Sequence, residues 1–281
     1  MKMRYSRALV LSVLALGVIT SCSSRRPPYI PHNRELRRLP LFFYPASPAA
    51  PARAVIFFFG NDIGFWTPHR DLADYLSSLG YSVVGFDMRS FLADLPEKRA
   101  QRDSAFDARI LPLIASTRHE IHADSLPLII AGHSLGAEVA IWTAAFAHPP
   151  DMVGVIAMSP GLSSHLEVSA ADLLSEAEPT GPSSFSVPAT VHAIAPAVRV
   201  AIVRGSHDKY RYADSALIVA GGNRIHNYIV PFASHSLKRI IVAKPVMRQA
   251  VAWLLEPVSG TRAAAVETPA SRNPAGSGSR K

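Results

Sequence analysis

The run Gly132-His133-Ser134-Leu135-Gly136 places a serine midway between two glycines, and this spacing suits nucleophilic catalysis. A neutral serine hydroxyl is a poor nucleophile until a neighbouring imidazole accepts its proton during attack. A serine at the apex of a sharp turn has a strained backbone, and glycines two residues before and after it avoid a collision within the turn. Ser134 is therefore the candidate nucleophile of an acyl-transfer reaction.

The residues around Ser134 predict the elements that such a turn requires. The apolar run 126–131 predicts a strand, and residues 135–147, which keep the small Ala137 at their start, predict a helix. Strand, tight turn and helix form the setting of a nucleophile elbow, whereas the glycine spacing alone would also fit an ordinary loop. The helix N-terminus would then lie beneath the hydroxyl, where its free N–H groups favour a developing negative charge.

The remainder of the body alternates between short apolar runs and segments with helical spacing. Further strands are predicted at residues 54–59, 81–86, 153–158, 198–203 and 226–232, and helices at 72–79, 105–116, 212–220 and 238–255. Pro245 predicts a kink or a late start in the last helix. This alternation is typical of an α/β fold with a doubly wound, mostly parallel sheet flanked by helices, in which chemistry collects at the carboxyl ends of the strands.

With the nucleophile motif in that context, the chain resembles the α/β-hydrolase superfamily from about Ala54 to Leu255. The resemblance implies a triad in the chain order nucleophile, acid, histidine. Asp208 follows the strand predicted at 198–203 and is the candidate acid, which would fix the tautomer of the imidazole. His235 follows the last predicted strand and is the candidate base.

Each of these two roles has a rival in the sequence. Asp214 is an alternative acid, although it lies within a predicted helix rather than at a strand end. His207 and His226 are alternatives to His235, but one neighbours the acid and the other begins a strand. The remaining histidines, including His133, are expected at the surface or in loops.

The same resemblance implies an oxyanion hole built from two backbone N–H groups. One is that of Leu135, and the second comes from the loop after the strand 54–59, where Asn61 is the first choice and Asp62 the alternative. Many members of the superfamily carry His-Gly before this donor, and this chain has Phe59-Gly60 instead. The identity of the second donor therefore stays open.

A second similarity concerns residues 60–92, including the run Val83-Val84-Gly85-Phe86-Asp87. This segment is similar to the VirJ-like branch of exported bacterial hydrolases. That similarity implies a periplasmic role close to membrane lipids, with aminoacyl-lipid hydrolysis as one activity.

Composition excludes several other classes of function. All of the positive net charge lies outside residues 53–256, which carry −2 of the total of +8, so no basic surface for nucleic acid is expected on the folded body. No glycine-rich phosphate loop is present, and His119 and His122 have metal-like spacing without a supporting cluster. We therefore expect neither a cofactor nor a metal ion.

Residues 1–22 have the layout of a secretory signal, with a basic start, a short apolar stretch and Ser21-Cys22 at its end. The run Ile19-Thr20-Ser21-Cys22 is similar to the lipobox of bacterial lipoproteins, in which the cysteine is lipidated after cleavage. The alternative is an ordinary signal peptide in which Cys22, the only cysteine of the chain, is incidental. The sequence thus predicts an exported protein held on a membrane through Cys22.

The flanking and inserted segments complete the predicted organisation. Residues 23–52 read as a proline- and arginine-rich tether with a possible edge strand at 39–44, residues 53–256 as the catalytic domain, and residues 257–281 as a disordered tail. Within the domain, residues 159–197 occupy the place where α/β-hydrolases insert a lid. They predict a short, partly apolar cap, or else a surface crossover without substrate contact.

Three functions use the residues assigned above. The first is a hydrolase that cleaves an ester or lipid substrate through an acyl-enzyme on Ser134. The second is acyl transfer to an acceptor other than water. The third is an envelope lipoprotein that keeps the fold as a binding module. Neither the substrate nor the oligomeric state follows from the sequence.

Overall fold

A computed structural model describes residues 28–46, 51–168, 177–236 and 240–257 of the chain, with side chains described from residue 243 onward in the last range. Within these residues, seven strands form one sheet. They are β1 (Leu41–Tyr44), β2 (Ala54–Phe59), β3 (Tyr81–Phe86), β4 (Leu128–His133), β5 (Met152–Met158), β8 (Arg199–Gly205) and β9 (Ile225–Val230). Two further strands, β6 (Ser163–Ser164) and β7 (Phe185–Ser186), form a small antiparallel hairpin.

The strand order of the large sheet is β1-β3-β2-β4-β5-β8-β9, with β1 antiparallel to its neighbour and every other pair parallel. All residues of β2, β3 and β4 are buried. Strands covered on both faces must be apolar throughout, which explains why they read as continuous apolar runs rather than as alternating ones. The doubly wound, mostly parallel α/β sheet predicted from the sequence is confirmed.

Seven α-helices lie among the described residues. They are α1 (Thr67–Ser78), α2 (Met88–Ala93), α3 (Arg99–Glu120), α4 (Leu135–Trp142), α5 (Val187–Ala193), α6 (Asp214–Gly221) and α7 (Ile240–Leu255). A π-helical turn, Thr143–Ala147, extends α4, and Pro245 lies inside α7.

The two faces of the sheet carry separate apolar cores. Helices α3, α4 and α5 cover one face with side chains such as Ile110, Val139 and Val191. Helices α1 and α7 cover the other face with side chains such as Leu72 and Val251. The parallel strands therefore point their carboxyl ends to one edge of a rigid, three-layered body, and this edge carries the candidate site.

The segment before β1 packs on the body from Tyr29 onward, within the stretch that the sequence predicts as a tether. The Tyr29 ring packs against Phe43, with 5.5 Å between ring centroids, and its hydroxyl donates to Oε1 of Glu120 at 2.9 Å. Glu120 also accepts hydrogen bonds from the backbone N–H groups of His32 and Asn33. Burial would raise the pKa of Glu120, but these donors lower it to about 2. The predicted edge strand is β1, at the rim of the sheet.

The predicted cap region, residues 159–197, contains the β6/β7 hairpin and helix α5, while residues 169–176 lie outside the described ones. Helix α5 packs on α4 and α6, whereas residues near the hairpin, including His165 and Pro179, line the pocket above Ser134. The predicted signal sequence with Cys22 and the predicted tail from residue 258 also lie outside the described residues. Among the helices that the structure describes, none is both long and apolar enough to span a bilayer.

Candidate active site

Ser134 lies at the turn between β4 and α4, and its backbone has the strained values φ 54° and ψ −125°. The two flanking glycines make this turn possible. A Cβ on Gly132 would collide with the carbonyl of Gly136, and a Cβ on Gly136 would collide with the carbonyl of Gly60 in the loop after β2. Only residues without side chains fit these two positions, so the turn needs the spacing seen in the sequence.

The structure brings Ser134, His235 and Asp208 together from three strand ends. The Ser134 hydroxyl lies 2.9 Å from Nε2 of His235, and Nδ1 of the same ring lies 3.2 Å from Oδ1 of Asp208. Because a carboxylate only accepts hydrogen bonds, Nδ1 carries the proton and donates to Asp208, which leaves Nε2 free to accept from Ser134. The arrangement can therefore withdraw a proton from the serine hydroxyl.

Asp208 is held as an anion in a buried position, with its side chain fully removed from solvent. Burial alone would raise its pKa, but hydrogen bonds from His235 and from the N–H of Tyr210, together with the charge of Arg204, lower the pKa well below its usual range. The carboxylate can thus orient His235 and stabilise its protonated form without itself taking up a proton.

The rival residues named from the sequence lie elsewhere in the structure. Asp214 begins α6 and accepts hydrogen bonds from Arg204 at 2.8 Å and Asn227 at 3.0 Å, rather than from His235. His226 is exposed and its ring packs on Tyr228. His207 is exposed next to Phe232.

Arg204 links the two aspartates and is fully buried at the end of β8. Its guanidinium donates to Oδ2 of Asp208 at 3.1 Å, to Asp214, and to the carbonyl of Pro160 at 2.7 Å. A buried guanidinium with carboxylate and carbonyl partners keeps its charge and fixes the groups around it. This residue was not predicted from the sequence, although a lone arginine within an apolar strand is a signal for a buried ion pair.

Both predicted oxyanion donors belong to residues that line the pocket around Ser134, namely Leu135 at the start of α4 and Asn61 in the loop after β2. The N–H of Gly64 donates to the carbonyl of Asn61 at 2.9 Å, which closes this loop into a tight turn. Asp62 lines the same pocket. The choice of Asn61 over Asp62 as the second donor stays a prediction.

The pocket above Ser134 has a volume of about 490 Å³, large enough for an ester with a medium-sized acyl or alcohol part. Ile63 and Trp66 form an apolar part of its wall, while Glu138 and Glu178 contribute carboxylates. Glu138 lies one helical turn after Ser134 on α4, and burial raises its pKa to about 7. That four-residue spacing could have identified Glu138 as a pocket residue from the sequence.

The carboxylates of Glu138 and Glu178 lie side by side, because they accept from the consecutive N–H groups of Gly161 at 2.8 Å and Leu162 at 2.7 Å.

His133, which the sequence places in a loop or at the surface, is in fact 3% exposed and belongs to β4. In the described part of the chain, no three His, Cys, Asp or Glu side chains are grouped so that they could hold a metal ion.

No protein-family model and no curated protein sequence matches this chain. The fold is similar to several solved structures. A protein of Klebsiella pneumoniae described as a dienelactone hydrolase is 17% identical, with 78% of this chain and 93% of that chain covered and a TM-score of 0.54. A soluble variant of monoglyceride lipase from Saccharomyces cerevisiae, solved with a substrate analogue, is 14% identical over 78% and 92% of the two chains, with a TM-score of 0.56.

Esterase 2 of Thermogutta terrifontis, solved after phosphoramylation by tabun, is 19% identical, with 76% of this chain and 88% of that chain covered and a TM-score of 0.51. At these identities the likeness concerns the architecture of the chains. It shows that this protein has the α/β-hydrolase fold.

Proposed function

We propose that this protein is a serine hydrolase that cleaves carboxylic esters through an acyl-enzyme on Ser134. The observation that carries the proposal is the hydrogen-bonded series from Ser134 to His235 to Asp208 at the floor of a pocket. The esterases and lipases among the proteins that share the fold support the choice of ester bonds.

In the proposed reaction, Ser134 Oγ attacks the ester carbonyl carbon while His235 Nε2 takes the hydroxyl proton. The carbonyl oxygen becomes an oxyanion, which the N–H groups of Leu135 and Asn61 would stabilise. His235 then returns the proton to the departing alcohol as the carbon–oxygen bond breaks, leaving an acyl-serine. Water repeats the sequence with His235 as base, which releases the acid and restores Ser134.

Covalent labelling with a fluorophosphonate tests the nucleophile, because this reagent phosphonylates an activated serine. We expect rapid labelling of the wild-type protein and none of Ser134→Ala. Ser104→Ala removes an exposed hydroxyl on α3 and serves as the matched control that should label normally. Equal labelling of wild type and Ser134→Ala would overturn the assignment. A correctly folded wild type that fails to label would favour a binding module instead.

A second candidate concerns the substrate, and the Glu138 and Glu178 carboxylates favour it. Two neighbouring carboxylates beside the nucleophile provide acceptors and negative charge for an ammonium group on the substrate. The same pocket also holds a cation of the protein, Lys209, whose ammonium packs over the Tyr210 ring at 4.8 Å from the ring centre. An ester whose acyl part carries a cation, such as the aminoacyl esters implied by the similarity to the VirJ-like branch, would fit this wall.

The pKa of Glu138 gives this candidate a test. Above about pH 7 Glu138 is ionised, and below it the carboxyl is neutral. A nitrophenyl ester of N-acetyl-lysine stays cationic across this range, whereas the N-acetyl-norleucine ester carries no charge. We expect the KM of the lysine ester to fall as pH rises from 6 to 8, with no such change for the norleucine ester or in Glu138→Gln. A parallel pH response of the two esters would exclude a cationic subsite.

We further propose that the protein acts outside the cytoplasm, held on a membrane by a lipid on Cys22. The signal-like start of the chain and its lipobox-like run support this location.

Acyl transfer to an acceptor other than water would use the same three residues, Ser134, His235 and Asp208. Product analysis in the presence of added alcohols would separate transfer from hydrolysis.

A further inference from the structure

Two histidines outside the proposed triad lie directly beneath it. His69, on α1, is 4% exposed, and His133, the last residue of β4, is 3% exposed. The ring atoms His69 Nε2 and His133 Nδ1 are 2.9 Å apart, and His133 Nε2 lies 2.9 Å from the backbone carbonyl oxygen of His235. At the other end, the backbone N–H of Trp66 points to His69 Nδ1 at 3.4 Å.

The partners at the ends of this series fix where its protons are. A carbonyl oxygen can only accept, so His133 Nε2 must carry a proton and donate it to His235. In a neutral ring the Nδ1 of His133 is then an acceptor, which requires a proton on Nε2 of His69. His69 Nδ1 is in turn left to accept from the N–H of Trp66. These three contacts are satisfied with both rings neutral and with their hydrogen bonds running in one direction.

The surroundings keep both rings neutral. The small cavity beside them is lined mainly by apolar side chains, among them Leu72, Met158 and Met247. Burial and the proximity of the His133 ring together lower the pKa of His69 to about 2, against a backbone hydrogen bond with Gly64 that raises it, and burial lowers the pKa of His133 to about 4. At neutral pH neither ring competes with His235 for the serine proton.

We propose that His69 and His133 are positioning residues, which form a neutral hydrogen-bonded relay that ties the loop after β2 and the nucleophile turn to the backbone of His235. The proposal rests on the proposed hydrolase function, since it assigns His235 as the base. Asp208 orients the imidazole through its side chain, and His133 holds the same residue through its main chain. Asp208 and His133 together thereby fix the orientation of the His235 ring and the position of its main chain, and the triad needs both.

The geometry gives the relay a specific role within the site. Trp66 lines the substrate pocket, His133 precedes the nucleophile, and His235 carries the base. The relay therefore connects the three loops that must keep their relative positions while an ester is attacked. A displacement of His235 by about 1 Å would lower the rate on the order of 100-fold.

The test compares two substitutions of the same residue. His133→Gln keeps an amide N–H near the position of Nε2 and can still donate to the His235 carbonyl, whereas His133→Phe fills the space without a donor. We expect the maximal rate of fluorophosphonate labelling, kinact, to fall on the order of 10- to 100-fold in His133→Phe, with KI within about threefold of wild type. His133→Gln should recover most of kinact.

A matched control separates positioning from loss of stability. Thr117→Val removes a buried hydroxyl on α3 that does not line the pocket, and it should lower stability without touching the relay. It should label at the wild-type rate. If His133→Phe labels as fast as the wild type, or if Gln and Phe slow labelling equally, the positioning role is wrong. Should the Phe variant not fold, His69→Phe provides the same comparison against His69→Gln.

Nitrogen-15 NMR provides a readout that does not depend on activity. We expect His69 and His133 to show the neutral tautomer protonated at Nε2, with no titration between pH 8 and pH 5. A ring protonated at Nδ1, or one that titrates near pH 6.5, would overturn the relay even in an active enzyme. Failure of the wild type to label, with the expected tautomers present, would instead count against the proposed hydrolase function.

Discussion

Asp208 shows how a single carboxylate can serve the proposed mechanism and the stability of the fold together. One oxygen accepts from the ring of His235 and from the N–H of Tyr210, and the other accepts from Arg204. Removing the negative charge would change the preferred tautomer of His235 and leave a buried guanidinium with one partner fewer. Asp208 therefore gives a direct test of the roles assigned within the triad.

We expect Asp208→Asn to lower the labelling rate or ester turnover on the order of 10⁴-fold, because the amide can donate to Nδ1 and so favours the tautomer with a protonated Nε2. Asp214→Asn changes the other carboxylate on Arg204 and is the matched control, with a much smaller loss. The measurement is kinact, or kcat on a nitrophenyl ester, for both variants. A larger loss in Asp214→Asn than in Asp208→Asn would make Asp214 the acid.

The residues of the site differ in how far the sequence identifies them. Ser134 lies in a local motif, and Asp208 and His235 follow from the order of strands once the fold is assumed. Arg204 and His69 do not follow from that order. Arg204 contacts Asp208, four residues further on, and His69 contacts His133, 64 residues away, and both contacts depend on how strands and helices pack. A lone arginine in an apolar strand signals a buried ion pair, but neither residue type identifies the partners.

At the scale of elements, the nucleophile turn depends on contacts between backbones. The Gly136 position on α4 meets the Gly60 carbonyl in the loop after β2, so helix and loop touch without an intervening side chain. This close approach also brings the two predicted oxyanion donors to one pocket. The loop can keep its place only while position 136 stays small.

Gly136→Ala should therefore destabilise the protein by about 3 kcal/mol and abolish labelling, because the added methyl group displaces the Gly60 loop. Gly181→Ala is the control. This glycine has φ +110°, but no atom lies within 4 Å of the place that an added methyl group would occupy, so only the backbone penalty of about 1 to 2 kcal/mol is expected. Urea denaturation of both variants measures the difference. Similar losses in the two would show that crowding at Gly136 is unimportant.

The elements themselves were predictable where apolar runs are short and bounded. The strand predicted at 54–59 is β2 and that at 81–86 is β3. The helix predicted at 72–79 starts earlier, at Thr67, because Pro68 fits the first turn of a helix, which the apolar spacing does not reveal. The prediction of 105–116 for helix α3 is too short, because the polar ends of this helix lack the apolar periodicity on which the prediction depends.

At the scale of the whole molecule, the carboxylate of Glu120 helps to join the N-terminal segment to the body, beside the packing of Tyr29 on Phe43 and the burial of Leu36. Glu120 accepts from Tyr29 and from the N–H groups of His32 and Asn33, and it lies at the end of α3. Its pKa of about 2 lies below the ordinary value of 4.5. Its contribution to stability is therefore complete above about pH 4.5 and is lost as the pH falls from there toward 2.

Replacing Glu120 by alanine should release this segment while leaving the site intact. We expect a loss of about 2 kcal/mol in the free energy of unfolding, since the Tyr29 hydroxyl and the backbone N–H groups of His32 and Asn33 lose a charged acceptor. Limited trypsin digestion should also cut faster at Arg34 or Arg37, while fluorophosphonate labelling stays at the wild-type rate. Glu35→Ala, an exposed neighbour in the segment, is the control. Unchanged trypsin cleavage in Glu120→Ala would mean that other contacts hold the segment.

The attachment of the segment bears on how the protein would be held on a membrane. Five residues separate Cys22 from Pro28, the first described residue, and the segment is bound to the body from Tyr29 onward. A lipid on Cys22 would therefore leave only a short stretch between bilayer and folded domain, about 20 Å when fully extended. Arg25 and Arg26 within it would lie beside anionic head groups and add to membrane binding.

Metabolic labelling with a fatty-acid analogue in a bacterial host tests this anchor. The wild-type chain should take up the label and partition into the detergent phase of a Triton X-114 extract, because the thioether needs the sulfur of Cys22. Cys22→Ala should lose both properties, while Ser23→Ala, at the adjacent position, should keep them. If Cys22→Ala still carries the label, the lipobox assignment is wrong. If neither protein is labelled but both are exported, residues 1–22 act as an ordinary signal peptide, and the pocket would then have to meet its substrate without a lipid anchor.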